Sequence, residues 1–129
     1  MRGRKNDQRG FTLLEILIVM AIVGVLATIA IPRFNNSLVL ANTAKVQSDL
    51  RVLNSAILLY QSETGRYPTN LTTDLQSYVM DIDHLQPPKG ECLLRDGTKE
   101  NITATAYTLA ADHTHALCQG HSIAAFGHS

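Results

Sequence analysis

The run from Phe11 to Ile31, FTLLEILIVMAIVGVLATIAI, carries only Thr12, Glu15 and Thr28 as polar side chains. About 20 consecutive apolar residues are enough to cross a bilayer as a helix. A helix that is apolar all round must be covered on every side, and a small domain cannot do that. This run must therefore find lipid or copies of itself. Glu15 sits near its start, where a charge is costly and marks a functional site by default. Just upstream lie Arg2, Arg4, Lys5 and Arg9 against the single acid Asp7. Basic charge in that place predicts a cytoplasmic N-terminus, with the chain after the run outside. Two ordinary readings stay open, a cleaved secretory signal peptide and a plain signal anchor. The length of the run, its carboxylate and the lack of a clear small-residue cleavage site weaken the first. Neither reading explains Glu15.

The 129 residues have zero formal net charge. With the basic charge concentrated at the start, the remainder is mildly acidic. That argues against nucleic acid as a general electrostatic partner and leaves only a local basic patch open.

Beyond Pro32 the apolar pattern thins into a stripe of Val39, Val46, Leu50, Leu53, Ile57 and Tyr60. Their spacings of seven, four and three mark one face of a helix. Asn42, Lys45, Gln47, Asp49, Arg51 and Asn54 form a polar face between them. Gly65, with Pro68 after it, is a helix stop. One helix is thus expected from about Phe11 to about Thr64, apolar in its first half and amphipathic in its second. Pro32 would kink it near the membrane boundary.

Downstream, a loop with a short helical piece is expected over 73–80, closed by Pro87, Pro88 and Gly90. Strands are expected over 92–95, 102–109 and 115–119. Asp96-Gly97 is a hairpin-type turn signal, and residues 111–114 form a second turn. The fold class is α+β: a long N-terminal helix packed on one small antiparallel meander. Residues 121–129 show no pattern and read as a loose tail.

The two cysteines are Cys92 and Cys118. In an exported domain they default to one disulfide, joining the first strand to the third; in a cytosolic protein they would stay reduced. By loop closure the bond would stabilise by roughly 3 kcal/mol. His113 and His115 would share one strand face, with His121 nearby. Without a second cluster at metal-ligand spacing, they read as an exposed histidine-rich edge and no metal is assigned. Asn70-Leu71-Thr72 and Asn101-Ile102-Thr103 match the glycosylation sequon, a pattern common by chance. No phosphate-binding loop or catalytic triad is present, so no enzyme activity and no cofactor are expected.

The stretch RGFTLLEILIVMAIVGVLATIAIP closely resembles the N-terminus of type IV prepilins and of the pseudopilins of type II secretion. The match covers about Arg9 to Phe34. It is specific because a basic leader, a Gly-Phe junction, a placed Glu and an unbroken apolar helix occur together. The resemblance implies a leader over residues 1–10, cut between Gly10 and Phe11, and N-methylation of Phe11. Glu15, fifth after the cut, would set filament register by pairing with a neighbour's Phe11 ammonium. Gly24 and Pro32 fall where the family places helix-softening residues. Residues 11–31 would be the transmembrane and filament-core helix, 32–64 its amphipathic half, and 65–129 a small α+β head.

Major pseudopilins carry a calcium site in their C-terminal loops. Asp74, Asp81, Asp83 and Asp112 are candidate ligands here, but the tail CQGHSIAAFGHS has no carboxylate, so that site is not expected. The Cys92/Cys118 pair resembles the disulfide-bounded loop of many pilins. The resemblance therefore implies a structural subunit of a type IV pilus. A pseudopilin of a secretion or competence machine is the alternative, and a membrane-anchored binding module the second. Implied partners are prepilin peptidase, further copies of the chain, an inner-membrane platform protein and an assembly ATPase. The implied location is the inner membrane before assembly, then a pilus, the cell surface or the periplasm.

Overall fold

The computed structural model describes the backbone of residues 2–128 and the side chains of residues 12–31 and 33–128. The chain divides into two compact units, Met1–Ser37 and Leu38–Ser129. Helix α1 (Arg2–Thr64) forms the first unit and opens the second.

In the first unit the described apolar side chains are left exposed. The large ones are at least half exposed, from Ile18 at 50% to Leu13 at 67%. A helix satisfies its own backbone hydrogen bonds, so only its side chains need an apolar environment.

In the second unit the expected stripe is the core. Val46, Leu50 and Ile57 are fully buried, and Val39, Leu53 and Tyr60 nearly so. Helix α1 ends where Gly65, in the left-handed region at φ 77°, donates its N–H to the Gln61 carbonyl at 2.8 Å. Against the stripe pack Leu71, Leu75, Val79 and Ile82 from the following loop, and Ile102, Tyr107, Ala116 and Phe126 from the sheet region.

The short helix differs from expectation. Helix α2 spans Leu71–Asp74, not 73–80, because Asn70 caps it. The Asn70 Oδ1 accepts from the Thr72 and Thr73 amides at 3.0 and 3.2 Å. The Asp74 carboxylate reaches back to the Thr69 and Asn70 amides at 2.9 and 3.1 Å. The cap therefore starts the helix earlier than apolar spacing indicates. After Leu75 the chain closes a turn at Val79 and enters a 3-10 segment over Ile82–His84.

The expected meander is instead two separate two-stranded sheets. Strands β1 (Gly90–Leu93) and β2 (Lys99–Ile102) form the first, and β3 (Thr108–Leu109) and β4 (Ala116–Leu117) the second, both antiparallel. The single strand expected over 102–109 is broken at residues 103–107. Tyr107 turns inward to the core there, and Gln119 takes up the Thr103 and Ala104 amides at 2.8 and 3.1 Å. Both expected turns are present: Leu94 donates to the Thr98 carbonyl, and Ala110 to that of His115.

The C-terminal residues are not a loose tail. A 3-10 turn over Ile123–Ala125 leads to Phe126, which is fully buried and bridges antiparallel to Leu94. Arg95 donates to the Ala125 carbonyl at 2.8 Å, and Gly127 to that of Leu93 at 3.0 Å. The segment thus lines the outer edge of β1. Gly127 is required there: a Cβ would lie 2.5 Å from Gln47 Nε2, and its φ is +103°. A single aromatic in a patternless stretch has no periodicity to reveal it.

Phe126→Ala should destabilise the folded chain by about 3–5 kcal/mol, the cost of an emptied aromatic core site. Thermal or denaturant unfolding of the full chain in detergent measures this; a loose tail would leave the midpoint unchanged.

Candidate functional site

Two regions carry chemistry. The first is the apolar run. Leu14, Glu15, Ile18 and Val19 line a shallow groove of about 130 Å³, whose walls are otherwise aliphatic. Glu15 is exposed on this bare helix face. Thr28 returns its hydroxyl to the Val25 carbonyl at 2.6 Å, which removes its polarity from the surface. Beside Gly24 there is open space, with nothing within 4 Å of an added Cβ. Of Gly10, Phe11 and Pro32 only the backbone is described.

The second region is the buried face of α1 in the head. Side chains of the polar face read from the sequence reach main-chain groups of the sheet region. Asn42 donates to the Glu91 carbonyl at 3.2 Å, and Gln47 to that of Phe126 at 3.0 Å. Asn54 Oδ1 accepts from the Ala116 amide at 2.8 Å. Thr43, almost fully buried, accepts from the Leu93 amide at 2.7 Å and donates to the Val39 carbonyl at 2.7 Å. The contacts to Glu91, Leu93 and Ala116 give main-chain groups of the strands a partner from α1.

Asp49 is the charged member of this face and is only 8% exposed. Its Oδ2 takes Lys45 Nζ at 2.6 Å and the Tyr107 hydroxyl at 2.5 Å. Lys45 also donates to the Gln86 carbonyl at 2.8 Å. Burial, followed by the Asp49 hydrogen bond, pushes the Tyr107 phenol far above its ordinary range. It therefore stays protonated as a donor. Lys45 ties α1 to the loop before β1, and Asp49 ties it to the segment between β2 and β3. Their partners, Gln86 and Tyr107, lie 41 and 58 residues away, and a single sequence gives no sign of such pairings.

Cys92 and Cys118 are both fully buried thiols. Burial raises the Cys92 thiol, and burial followed by the neighbouring Cys92 pushes Cys118 up to about 11. Thiols held this way are poor nucleophiles at neutral pH.

The histidines do not gather. His113 lies in the turn, at φ 63°, with Nδ1 3.0 Å from the Pro68 carbonyl oxygen. His115 lies 3.8 Å from Asp112, and His121 Nε2 lies 2.8 Å from Glu100 Oε2. Among the described residues no three histidine, cysteine or carboxylate side chains converge on one point. Asp74 serves as the α2 brace, and Asp112 caps its own turn through Thr114. Asn70 is likewise committed as a helix cap, so its sequon side chain is occupied.

Residues 5–31 match the prokaryotic N-terminal methylation motif. A type II secretion system core protein G of Klebsiella michiganensis is 44% identical over 66 residues, 51% of this chain and 46% of the relative. The same-named protein of Escherichia coli K12 is 42% identical over 64 residues, 50% of this chain and 44% of the relative. A type IV major fimbrial protein FimA of Dichelobacter nodosus is 43% identical over 53 residues, 41% of this chain and 34% of the relative. The chain thus spans about half the length, or less, of these curated relatives. No solved structure matches it.

Tyr107→Phe should cost about 1–3 kcal/mol, because it removes a donor from a buried carboxylate. Lys45→Met should cost at least as much, because it leaves the buried Asp49 carboxylate without its cation. Chemical denaturation of the two variants checks this.

The Thr69 and Asn70 amides hold the Asp74 carboxyl below the usual carboxylate range. Because the folded-state pKa is depressed, this brace stabilises above the unfolded-state value and is lost as pH falls through the folded one. The Thr69 and Asn70 amide resonances should shift together in an acid titration, and Asp74→Asn should abolish that step.

Proposed function

We propose that the chain is a structural subunit of a pilin-type filament, processed at its N-terminus and polymerised through α1. The observation that carries this reading is the coincidence of the methylation motif with a long apolar helix left unburied among the described residues. In the membrane, lipid covers that surface; in a filament, copies of the same helix do so. Small residues such as Gly24 favour close helix approach in such packing.

Cleavage between Gly10 and Phe11 creates an α-amino group, and N-methylation of Phe11 keeps its positive charge. In a staggered array that ammonium meets the Glu15 carboxylate of the next subunit. Neither charge is tolerated alone in a water-poor core, so the pair sets register more than it adds net stability. Gly24 and Pro32 let the helix loosen during the transfer from bilayer to filament. Prepilin peptidase performs the cleavage, and an inner-membrane platform protein with an assembly ATPase drives extrusion. Cys92 and Cys118 close into a disulfide once the head is exported. The role is structural rather than catalytic.

The filament is a type IV pilus in the first reading and a type II secretion pseudopilus in the second. The tail without carboxylates and the cysteine pair favour the pilus. The second is favoured by relatives named core protein G, which match over longer stretches than the fimbrial protein. Long sheared fibres containing this chain distinguish the pilus. Loss of protein secretion on deletion, without visible fibres, distinguishes the pseudopilus.

The test is the intact mass and N-terminus of the chain from a sheared-filament or membrane fraction. The expected species begins at N-methyl-Phe11 and lacks two hydrogens relative to the dithiol. A chain that begins at Met1, or beyond Ile31, overturns the reading. Glu15→Leu should be processed normally yet fail to enter filaments at native stoichiometry; normal incorporation removes the register role.

A further inference from the structure

We propose that the C-terminal segment 118–127 seals the Cys92 and Cys118 sulfurs, so that their disulfide forms only before this segment docks and the closed head keeps the redox state in which it closed. The inference deepens the disulfide assigned above and rests on the two cysteines being partners. It is independent of filament assembly.

Both cysteines are fully buried members of the head core. Cys92 lies on β1, and both edges of β1 are covered. Along one edge runs β2, with Glu100 opposite Cys92. Along the other the chain end docks. Leu94 bridges to Phe126, Arg95 donates to the Ala125 carbonyl at 2.8 Å, and Gly127 donates to that of Leu93 at 3.0 Å. From α1, Thr43 accepts from the Leu93 amide at 2.7 Å and bonds to the Cys92 thiol.

Cys118 begins the docking segment itself. It exchanges both main-chain hydrogen bonds with His121, at 2.8 and 2.9 Å, across Gln119 and Gly120. Those two residues have positive φ, 51° and 82°, the conformation of a tight two-residue reversal. Gln119 fixes the reversal to its surroundings. Its side chain accepts from the Thr103 and Ala104 amides at 2.8 and 3.1 Å and donates to the Asn101 carbonyl at 3.0 Å. The His121 ring then meets Phe126 edge to face, with centroids 6.0 Å apart. One segment thus carries the second cysteine and closes the strand that carries the first.

Making the bond removes two protons and two electrons. One thiolate attacks a disulfide oxidant, forming a mixed disulfide and releasing one thiol. The second thiolate attacks that mixed disulfide and releases the other half of the oxidant as its thiol. Each step needs direct approach to a sulfur, and the docked segment denies it. Burial also disfavours both thiolates, as does the nearby Glu100. An undocked segment removes the obstacle. A chain that meets the oxidant before Phe126 docks closes with the bond made, and one that folds reduced stays a dithiol.

The test uses the full chain, folded as the dithiol in detergent micelles, with oxidised glutathione as the probe. Intact mass follows the glutathione adduct and the loss of two hydrogens. The folded chain should react at least about a hundredfold more slowly than the same chain in urea, because access requires a rare opening. Phe126→Ala should speed the folded chain by about tenfold or more. Leu75→Ala, which empties an equally buried site beside α2, should speed it far less. If Phe126→Ala does not fold, Gly127→Ala takes its place: the added Cβ lies 2.5 Å from Gln47 Nε2 and strains the docked segment without emptying the core. Equal rates for folded and unfolded chains overturn the seal. Equal acceleration by Leu75→Ala means access by global opening and removes the role of the C-terminal segment. A bond that never forms, even when the urea-treated chain refolds with the oxidant present, refutes the pairing itself. None of these outcomes bears on the N-terminal processing that tests the filament reading.

Discussion

The head depends on one face of α1. Val46, Leu50, Leu53 and Ile57 supply its apolar floor, while Asn42, Thr43, Gln47, Asp49 and Asn54 supply hydrogen bonds along the margins. The sheets are too short to satisfy their own edges, with four-residue strands in the first and two-residue strands in the second. Two-stranded sheets of this size are marginal alone. They persist here because a rigid helix presents amides, hydroxyls and a carboxylate at fixed spacing to the backbone groups that lack partners.

The same helix has opposite tasks in its two parts. From residue 38 onward it is a scaffold with one buried face. Over residues 12–31 it presents large apolar side chains that are left exposed. Physical chemistry assigns these to different environments, one folded in water and one that needs lipid or sister helices. Glu15 lies within this uncovered part, exposed on the helix face.

Much of this was legible without coordinates. The stripe from Val39 to Tyr60 is the core, and the stop at Thr64–Gly65 lies where Gly65 placed it. Asp96-Gly97 and residues 111–114 are the turns. The illegible parts share a cause: each depends on a contact distant in the chain. The polar face was legible, but not that its Asn42, Gln47 and Asn54 bind main-chain atoms 49 to 79 residues away. Phe126 is buried only because Leu93, Leu94 and Arg95 offer a free edge. The strand over 102–109 breaks because Tyr107 is drawn to Asp49 and Gln119 replaces the next ladder partner. Helix α2 was misplaced for a local reason, since Asn70 capping outweighed apolar spacing.

By itself the sequence determined the apolar run, its basic flank and placed Glu15, the long helix with its buried stripe, and the positions of the turns. These are local properties, set by periodicity, residue chemistry and chain reversal over a few residues. Only the tertiary structure decided that the sheet region splits in two, that Asp49 is buried between Lys45 and Tyr107, that the C-terminal segment closes β1, and that His121 meets Glu100. Backbone groups left over by short strands accept any donor or acceptor brought within about 3 Å in good geometry. Which one arrives is a property of the folded chain as a whole.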